Sequence, residues 1–228
     1  MEIFPNLHWL EAGYANVYLY VEETGVTLVD TGSPGKEEII LTYMRQTLGR
    51  EPDALRRIVI THADWDHAGS AQALQVATGA TVYAGEETAG YLRRGNTPPH
   101  LPRPVQFFID RLAHFHPLPA EALKVLEEGE TLPVCGGLQV LFTPGHTMDH
   151  HAFYSATTGI LFAGDALGTR SGKIGLSPNF ITADAGAARR SARRLLALTP
   201  AVFACGHGEP LQEHTLGDLM TTLQELKE

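Results

Sequence analysis

The sequence predicts a mixed α/β fold, and three observations carry that expectation. Glycine and proline, 23 and 14 of 228 residues, cut the chain into short pieces. Apolar runs rich in Val, Ile, Leu and Phe alternate with longer stretches whose apolar residues recur at helical spacing. The two halves also echo one another: VTLVDTG early in the chain and GILFAGD late in it both end an apolar run on an aspartate. That echo predicts a two-half architecture with polar residues gathered where strands end.

Strands are expected at 17–21, 26–30, 58–61, 81–84, 138–143, 152–155, 160–163 and 201–205. Thr157-Thr158-Gly159 reads as the loop of a hairpin between two of them. One helix is expected over 36–48, capped by Ser33-Pro34 and burying Ile39, Ile40, Tyr43, Met44 and Leu48. A second is expected over 187–198, capped by Asp184. Residues 88–125 hold five prolines between Pro98 and Pro117 around an aromatic helical stretch, and read as an excursion from the core that forms a helical cap. Its stripe of Phe107, Phe108, Leu112 and Phe115 is expected to pack on the body, with an apolar substrate wall as the alternative. Residues 168–181, with Gly172, Gly175 and Pro178, read as a loop.

Composition bounds the function. With 43% apolar residues the chain is long enough for one globular domain over 1–228 with a substantial core. A formal net charge of −9 repels a polyanion, which argues against nucleic acid. The basic positions Arg189, Arg190, Arg193 and Arg194 read as a solvated helix side. The opening residues lack the basic start and apolar block of a secretion signal, and no apolar run reaches the length of a membrane span. Cys135 and Cys205 read as two buried thiols. A cytoplasmic protein acting on a small molecule is expected, with no membrane partner and the oligomeric state left open.

The chemistry concentrates in Thr61-His62-Ala63-Asp64-Trp65-Asp66-His67, directly after the apolar run RRIVI. Crowding two carboxylates and two imidazoles at a strand end is costly unless a cation resolves it. The histidines are five apart and follow a strand, so this is not a helical H-E-x-x-H zinc motif but a loop wrapped round metal. Three later runs end the same way, through a glycine: FTPGH to His146, LFAGD to Asp165 and FACGH to His207. Glycine lets the backbone turn sharply and approach a bound group. His62, Asp64, Asp66, His67, His146, Asp165 and His207 are too many for one tetrahedral zinc and suit two metals sharing a bridging carboxylate.

These motifs, with Asp30 of LVDTG, resemble the metallo-β-lactamase superfamily in the order they occur. The resemblance implies a four-layer αβ/βα sandwich, two mixed β-sheets flanked by helices, with a dinuclear site at one edge. It implies that His62 and His146 with position 64 hold the first ion, that Asp66, His67 and His207 hold the second, and that Asp165 bridges. Asp30 is then a hydrogen-bond partner of a ligand loop. The family's usual H-x-H-x-D-H is here H-x-D-x-D-H, with Asp64 in place of the second histidine; a flavodiiron-like branch carries a glutamate there and binds iron. Three carboxylates and a hydroxide set a ligand charge of about −4 against +4, which favours harder ions. Two divalent ions, Zn, Mn or Fe, are expected.

The implied activity is hydrolysis of a small ester, thioester or lactone by a metal-bridging hydroxide that Asp66 orients, as in the glyoxalase II-like and lactonase branches. A di-iron redox protein and a ligand-binding pseudoenzyme are the alternatives. His8, His100, His114, His116, His151 and His214 lack the strand–glycine context and read as surface, packing or pocket-wall residues. His150 reads the same way, but lies four residues after His146.

Overall fold

Fourteen strands form in the computed structural model, whose described residues are 1–112, 115–212 and 221. The first sheet has seven strands side by side in chain order: β1 (Glu2–Phe4), β2 (Leu7–Ala12), β3 (Ala15–Glu22), β4 (Gly25–Val29), β5 (Leu55–Val59), β6 (Thr81–Gly85) and β7 (Leu123–Leu126). It is antiparallel from β1 to β4 and parallel from β4 to β7. Later in the chain come β8 (Thr131–Leu132), β9 (Leu138–Phe142), β10 (His151–Ser155), β11 (Ile160–Gly164), the hairpin β12 (Gly168–Arg170) and β13 (Lys173–Gly175), then β14 (Val202–Cys205). The second sheet runs β14-β11-β10-β9-β8, antiparallel except for the β11–β14 pair. Six α-helices are described: α1 (Glu37–Gln46), α2 (Trp65–Ala68), α3 (Ala71–Thr78), α4 (Glu86–Arg94), α5 (Arg103–Leu112) and α6 (Ala185–Leu196).

Side chains on a strand point alternately to its two faces, and here both faces are apolar. On β3, Val17 and Leu19 face the helices α1 and α3, while Tyr18 and Tyr20 face the other sheet. On β11, Ile160 and Phe162 face the first sheet, while Leu161 and Ala163 meet Ala192, Leu195 and Leu196 of α6. Three buried clusters therefore separate four layers, helix, sheet, sheet and helix, as the resemblance implies. The β10–β11 hairpin turns at Gly159, and Cys135 and Cys205 are buried free thiols in different clusters. No described helix is long and apolar enough to cross a membrane.

Several expectations need correction. The segment 88–125 is not wholly an excursion: α4 packs on β6 and β7, and β7 is itself a strand of the first sheet, so only the part around α5 leaves the core. Phe107 and Phe108 are 63% and 61% exposed, not packed on the body, although Phe115 is buried; the Leu112 side chain lies outside what is described. The stretch 168–181 holds the β12–β13 hairpin rather than being all loop. On α1 the buried residues are Ile40, Leu41 and Met44, while Ile39 is exposed. Lys36, not Ser33, stands at its N-cap, and the Ser33 hydroxyl instead accepts from the Tyr14 N–H. At α6 the Asp184 carboxylate does cap, accepting from the Ala187 N–H at 2.9 Å. His114 and His214 lie outside the described residues.

Candidate metal centre

Strand ends deliver the polar residues to one edge where the two sheets meet. Asp30 follows β4, the 62–67 loop follows β5, and His146, Asp165 and His207 follow β9, β11 and β14. Glycine makes the approach possible at two of these ends. A Cβ on Gly206 would stand 2.2 Å from Asp165 Oδ1 and 2.5 Å from the His67 ring. Gly164 has a φ of +50°, and a Cβ there would meet His150 Nε2 at 2.5 Å.

Asp30 governs two rings. Its Oδ2 accepts from His67 Nδ1 and from the Thr61 hydroxyl, each at 2.8 Å, and its Oδ1 accepts from the Thr61 N–H at 2.8 Å. Since the Thr61 hydroxyl donates to Asp30, it accepts from His62 Nδ1, 2.9 Å away. Both imidazoles are thus fixed through Nδ1 and turn Nε2 inward. His62 Nε2 is buried with no hydrogen-bond partner among the described residues.

The inward atoms form a compact set. Asp64 Oδ2 lies 3.2 Å from His146 Nε2 and 3.4 Å from His62 Nε2. Asp165 Oδ1 lies 3.3 Å from His67 Nε2, while its Oδ2 lies 3.4 Å from His146 Nε2 and 3.3 Å from His207 Nε2. His207 Nε2 is 3.4 Å from His67 Nε2 and 3.6 Å from Asp66 Oδ2. Ligand atoms held about 2.0–2.2 Å from one ion stand about 3 to 3.5 Å from each other, so these spacings match the edges of coordination polyhedra. Three groups could each hold an ion: His62, Asp64 and His146; His62, His67 and Asp165; and Asp66, His67 and His207. All seven residues singled out in the sequence converge here. The residues fit divalent ions on two counts, an orphaned buried nitrogen and mutual spacing.

The electrostatics agree. Burial opposes charge on His67 and His146, but the Asp165 carboxylate, with Asp30 beside His67 and Asp64 beside His146, prevails and holds both above the ordinary imidazole range, His67 well above it. Asp165 likewise raises His207 against burial. Burial would push Asp64 and Asp165 up, yet His146 and His62 facing Asp64 lower it, and the charges of His207, His67 and His146 hold Asp165 well below the usual carboxylate range. The groups carry charge only because they face one another.

The sequence missed several supporting residues. His150 is fully buried; its Nε2 accepts from the Asp165 N–H at 3.0 Å, so Nδ1 carries the proton toward Thr143 Oγ1. Burial, then His62 and His146, push it well below the ordinary range and keep it neutral for that task. Asp149 Oδ2 accepts from the Ala63 N–H and the Thr88 hydroxyl, pinning the metal loop from the neighbouring turn. Asn16 donates to the carbonyls of Cys205 and Gly208 and so anchors the His207 loop from β3. His100 is a pocket-wall residue, one of the readings its sequence context allows; its side chain is 4% exposed, and, beyond that reading, its Nε2 lies 3.3 Å from Asp64 Oδ2.

The edge opens into a cavity of about 160 Å³, whose floor holds Asp64, Asp66, His146, Asp165 and His207. Thr97, His100, Leu101 and Ile109 wall it from the α5 excursion, and Ile181 from the far side.

A four-layer α/β sandwich with a buried histidine and carboxylate cluster at its open edge defines a class of metal-dependent hydrolases. The family described as the metallo-beta-lactamase superfamily matches residues 10–207, and the chain belongs to it. It is similar to the probable metallo-hydrolase YflN of Bacillus subtilis (strain 168), 26% identical over 231 residues, which cover 92% of this chain and 86% of that one. The hydroxyacylglutathione hydrolase of Pseudomonas entomophila (strain L48) is 33% identical over 138 residues; the match covers 59% of this chain and only 40% of that enzyme. Among solved structures, a metallo-beta-lactamase family protein from Thermus thermophilus superposes with a TM-score of 0.71 at 28% identity, covering 99% of this chain and 79% of that one.

Proposed function

We propose that the chain is a dinuclear hydrolase of small esters, thioesters or lactones. One observation carries the reading. The groups His62–Asp64–His146 and Asp66–His67–His207 share no residue, and Asp165 lies 3.3 to 3.4 Å from members of both. A carboxylate so placed suits two ions held side by side, with Asp165 between them.

Divalent ions bound there supply Lewis acidity toward a carbonyl and a water acidic enough to attack near neutral pH. The chain's own residues do the rest. Asp66, on the short helix α2 with its side chain 14% exposed, presents Oδ2 beside His207 and is the atom positioned to accept a proton from the attacking water. His207, 43% exposed, is the most open member of the set at the cavity floor. Leu101, Ile109 and Ile181 offer an apolar wall that excludes water around an acyl group. The small cavity and the net charge of −9 favour a small molecule over a nucleic acid. Two free buried thiols suit a reducing, cytoplasmic compartment.

Thioester cleavage is weighed with ester and lactone cleavage because a hydroxyacylglutathione hydrolase is among the relatives. The test is elemental analysis of protein purified without added metal, followed by an ester, thioester and lactone panel with Zn, Mn and Fe. Two ions per chain are expected, and Asp165→Ala should lose both together. A single ion, or none retained, would refute the dinuclear reading; two ions with no turnover across the panel would refute the substrate class.

A further inference from the structure

The loop at 62–67 lacks an imidazole at position 64, and the structure brings another one to the same place from outside the motif. His100 lies in the segment between α4 and α5. Its Nε2 is 3.3 Å from Asp64 Oδ2, and its ring centre is 5.1 Å from that of His146. Three imidazole Nε2 atoms, those of His62, His146 and His100, therefore surround one carboxylate oxygen at 3.2 to 3.4 Å.

The tautomer of His100 gives this contact its meaning. Its Nδ1 is 3.1 Å from the Pro98 carbonyl, which can only accept, so Nδ1 carries the proton. His100 is therefore held through Nδ1 and turns Nε2 toward Asp64 Oδ2. A nitrogen and a carboxylate oxygen 3.3 Å apart stand at the spacing of two ligand atoms on one divalent ion. His62 stands in the same relation to Asp64, through its own Nδ1 bond to Thr61. The His100–Asp64 distance is also that of the other candidate ligand pairs.

The backbone at His100 is held independently of any ion. The N–H groups of His100 and Leu101 both donate to Gln106 Oε1 on α5, each at 3.2 Å. One side chain thus fixes the turn that aims the ring and ties it to α5. Ligand and cavity wall belong to one piece of chain, because Leu101 and Ile109 flank His100 in the cavity lining.

We propose that His100 is a further protein ligand of the ion held by His62, Asp64 and His146, replacing from the excursion the imidazole that the loop lacks at position 64. The proposal rests on the metal-site reading above. It makes binding of that ion and placement of the apolar wall one event.

The test uses the full chain with cobalt(II) and zinc(II) as probes, and variants His100→Ala, His100→Gln and His116→Ala. His116 is an exposed imidazole of the same excursion and serves as the control. Bound ions are counted after dialysis, affinity is measured by chelator competition, and the visible spectrum of the cobalt protein reports its ligands. Thermal melts of the metal-free proteins check folding, and the glutamine variant, which keeps a polar side chain in the cavity, covers the case in which alanine disturbs it. Both His100 variants should bind one ion more than about tenfold more weakly and show an altered cobalt spectrum, while His116→Ala matches the parent. A loaded parent with unchanged affinity and spectrum in both His100 variants overturns the assignment alone. A parent that binds neither cobalt nor zinc overturns it together with the hydrolase reading.

Discussion

Asp30 is not one of the seven clustered residues, yet it orients two imidazoles that are, His67 directly and His62 through Thr61. Its two oxygens accept three hydrogen bonds of 2.8 Å, and its φ of +58° is one that aspartate tolerates better than most residues. In Asp30→Asn one position must become an NH₂. On one side it would meet the Thr61 N–H and on the other the His67 Nδ1–H, so either orientation sets donor against donor. His67 would lose its fixed tautomer, and metal affinity should fall about 10- to 100-fold with little change in far-UV circular dichroism. Chelator competition checks this, and parent-like affinity would show that Asp30 does not orient the ring. Asp64 makes a different prediction. Its carboxylate stands where the superfamily motif has an imidazole, and the added negative charge favours Mn or Fe over Zn. Asp64→His should move the ranking in activity titrations toward zinc; an unchanged ranking would mean that position 64 does not touch the ion.

At the scale of elements, α5 separates what periodicity can and cannot tell. Helical spacing of aromatic residues is legible, but which way the apolar side faces is decided by the partner, and here Phe107 and Phe108 face outward. Specificity should therefore belong to the residues that line the cavity. Leu101→Ala or Ile109→Ala should lower kcat/KM for longer acyl chains about tenfold, equivalent to about 1.4 kcal/mol, while Phe107→Ser and Phe108→Ser leave kinetics and thermal midpoint nearly unchanged. Equal effects on short and long chains would remove α5 from the substrate wall. The same contrast explains which elements could be read in advance. Strands such as β3, β4, β10 and β11 carry dense apolar runs because both faces are buried, and those runs stand out. β2 mixes His8, Trp9 and Glu11 with its apolar residues, β7 follows a proline-rich stretch, and β12 and β13 have three residues each, so their pattern is too short or too polar to register. The seven clustered residues were legible because charged groups crowded after apolar strands and glycine are costly without a purpose. Asn16, Asp149 and His100 were not, since each acts alone from a distant segment with no spacing to mark it.

Across the whole molecule the cluster is a seam. The 62–67 loop comes from the first sheet and His146, Asp165 and His207 from the second, with Asn16 and Tyr18 of β3 reaching the Cys205 carbonyl from the opposite side. Without an ion, this seam is held by imidazolium–carboxylate pairs, so metal-free stability must depend on pH. Asp64 and Asp165 sit below their unfolded values near 3.9, and their contribution is present above that pH and lost as the pH falls through the folded values. His67, His146 and His207 sit above their unfolded value near 6.5; their contribution is complete below it and is lost as the pH rises through the folded values. His150, held neutral by burial, works the other way and costs stability as the pH falls below its unfolded value, so the metal-free chain should be most stable toward the upper end of the weakly acid window between those limits. Ions reverse the slope, because they need the bare nitrogens and must displace the protons that His67, His146 and His207 retain. The difference in thermal midpoint between zinc-saturated and metal-free protein should therefore widen steadily from about pH 5 to pH 8, and shrink toward zero on the acid side. Paired melts at fixed ionic strength and zinc concentration measure it. A difference that stays constant across that range would mean that these histidines carry no proton for the metal to displace, and that something other than charge pairing holds the metal-free seam together.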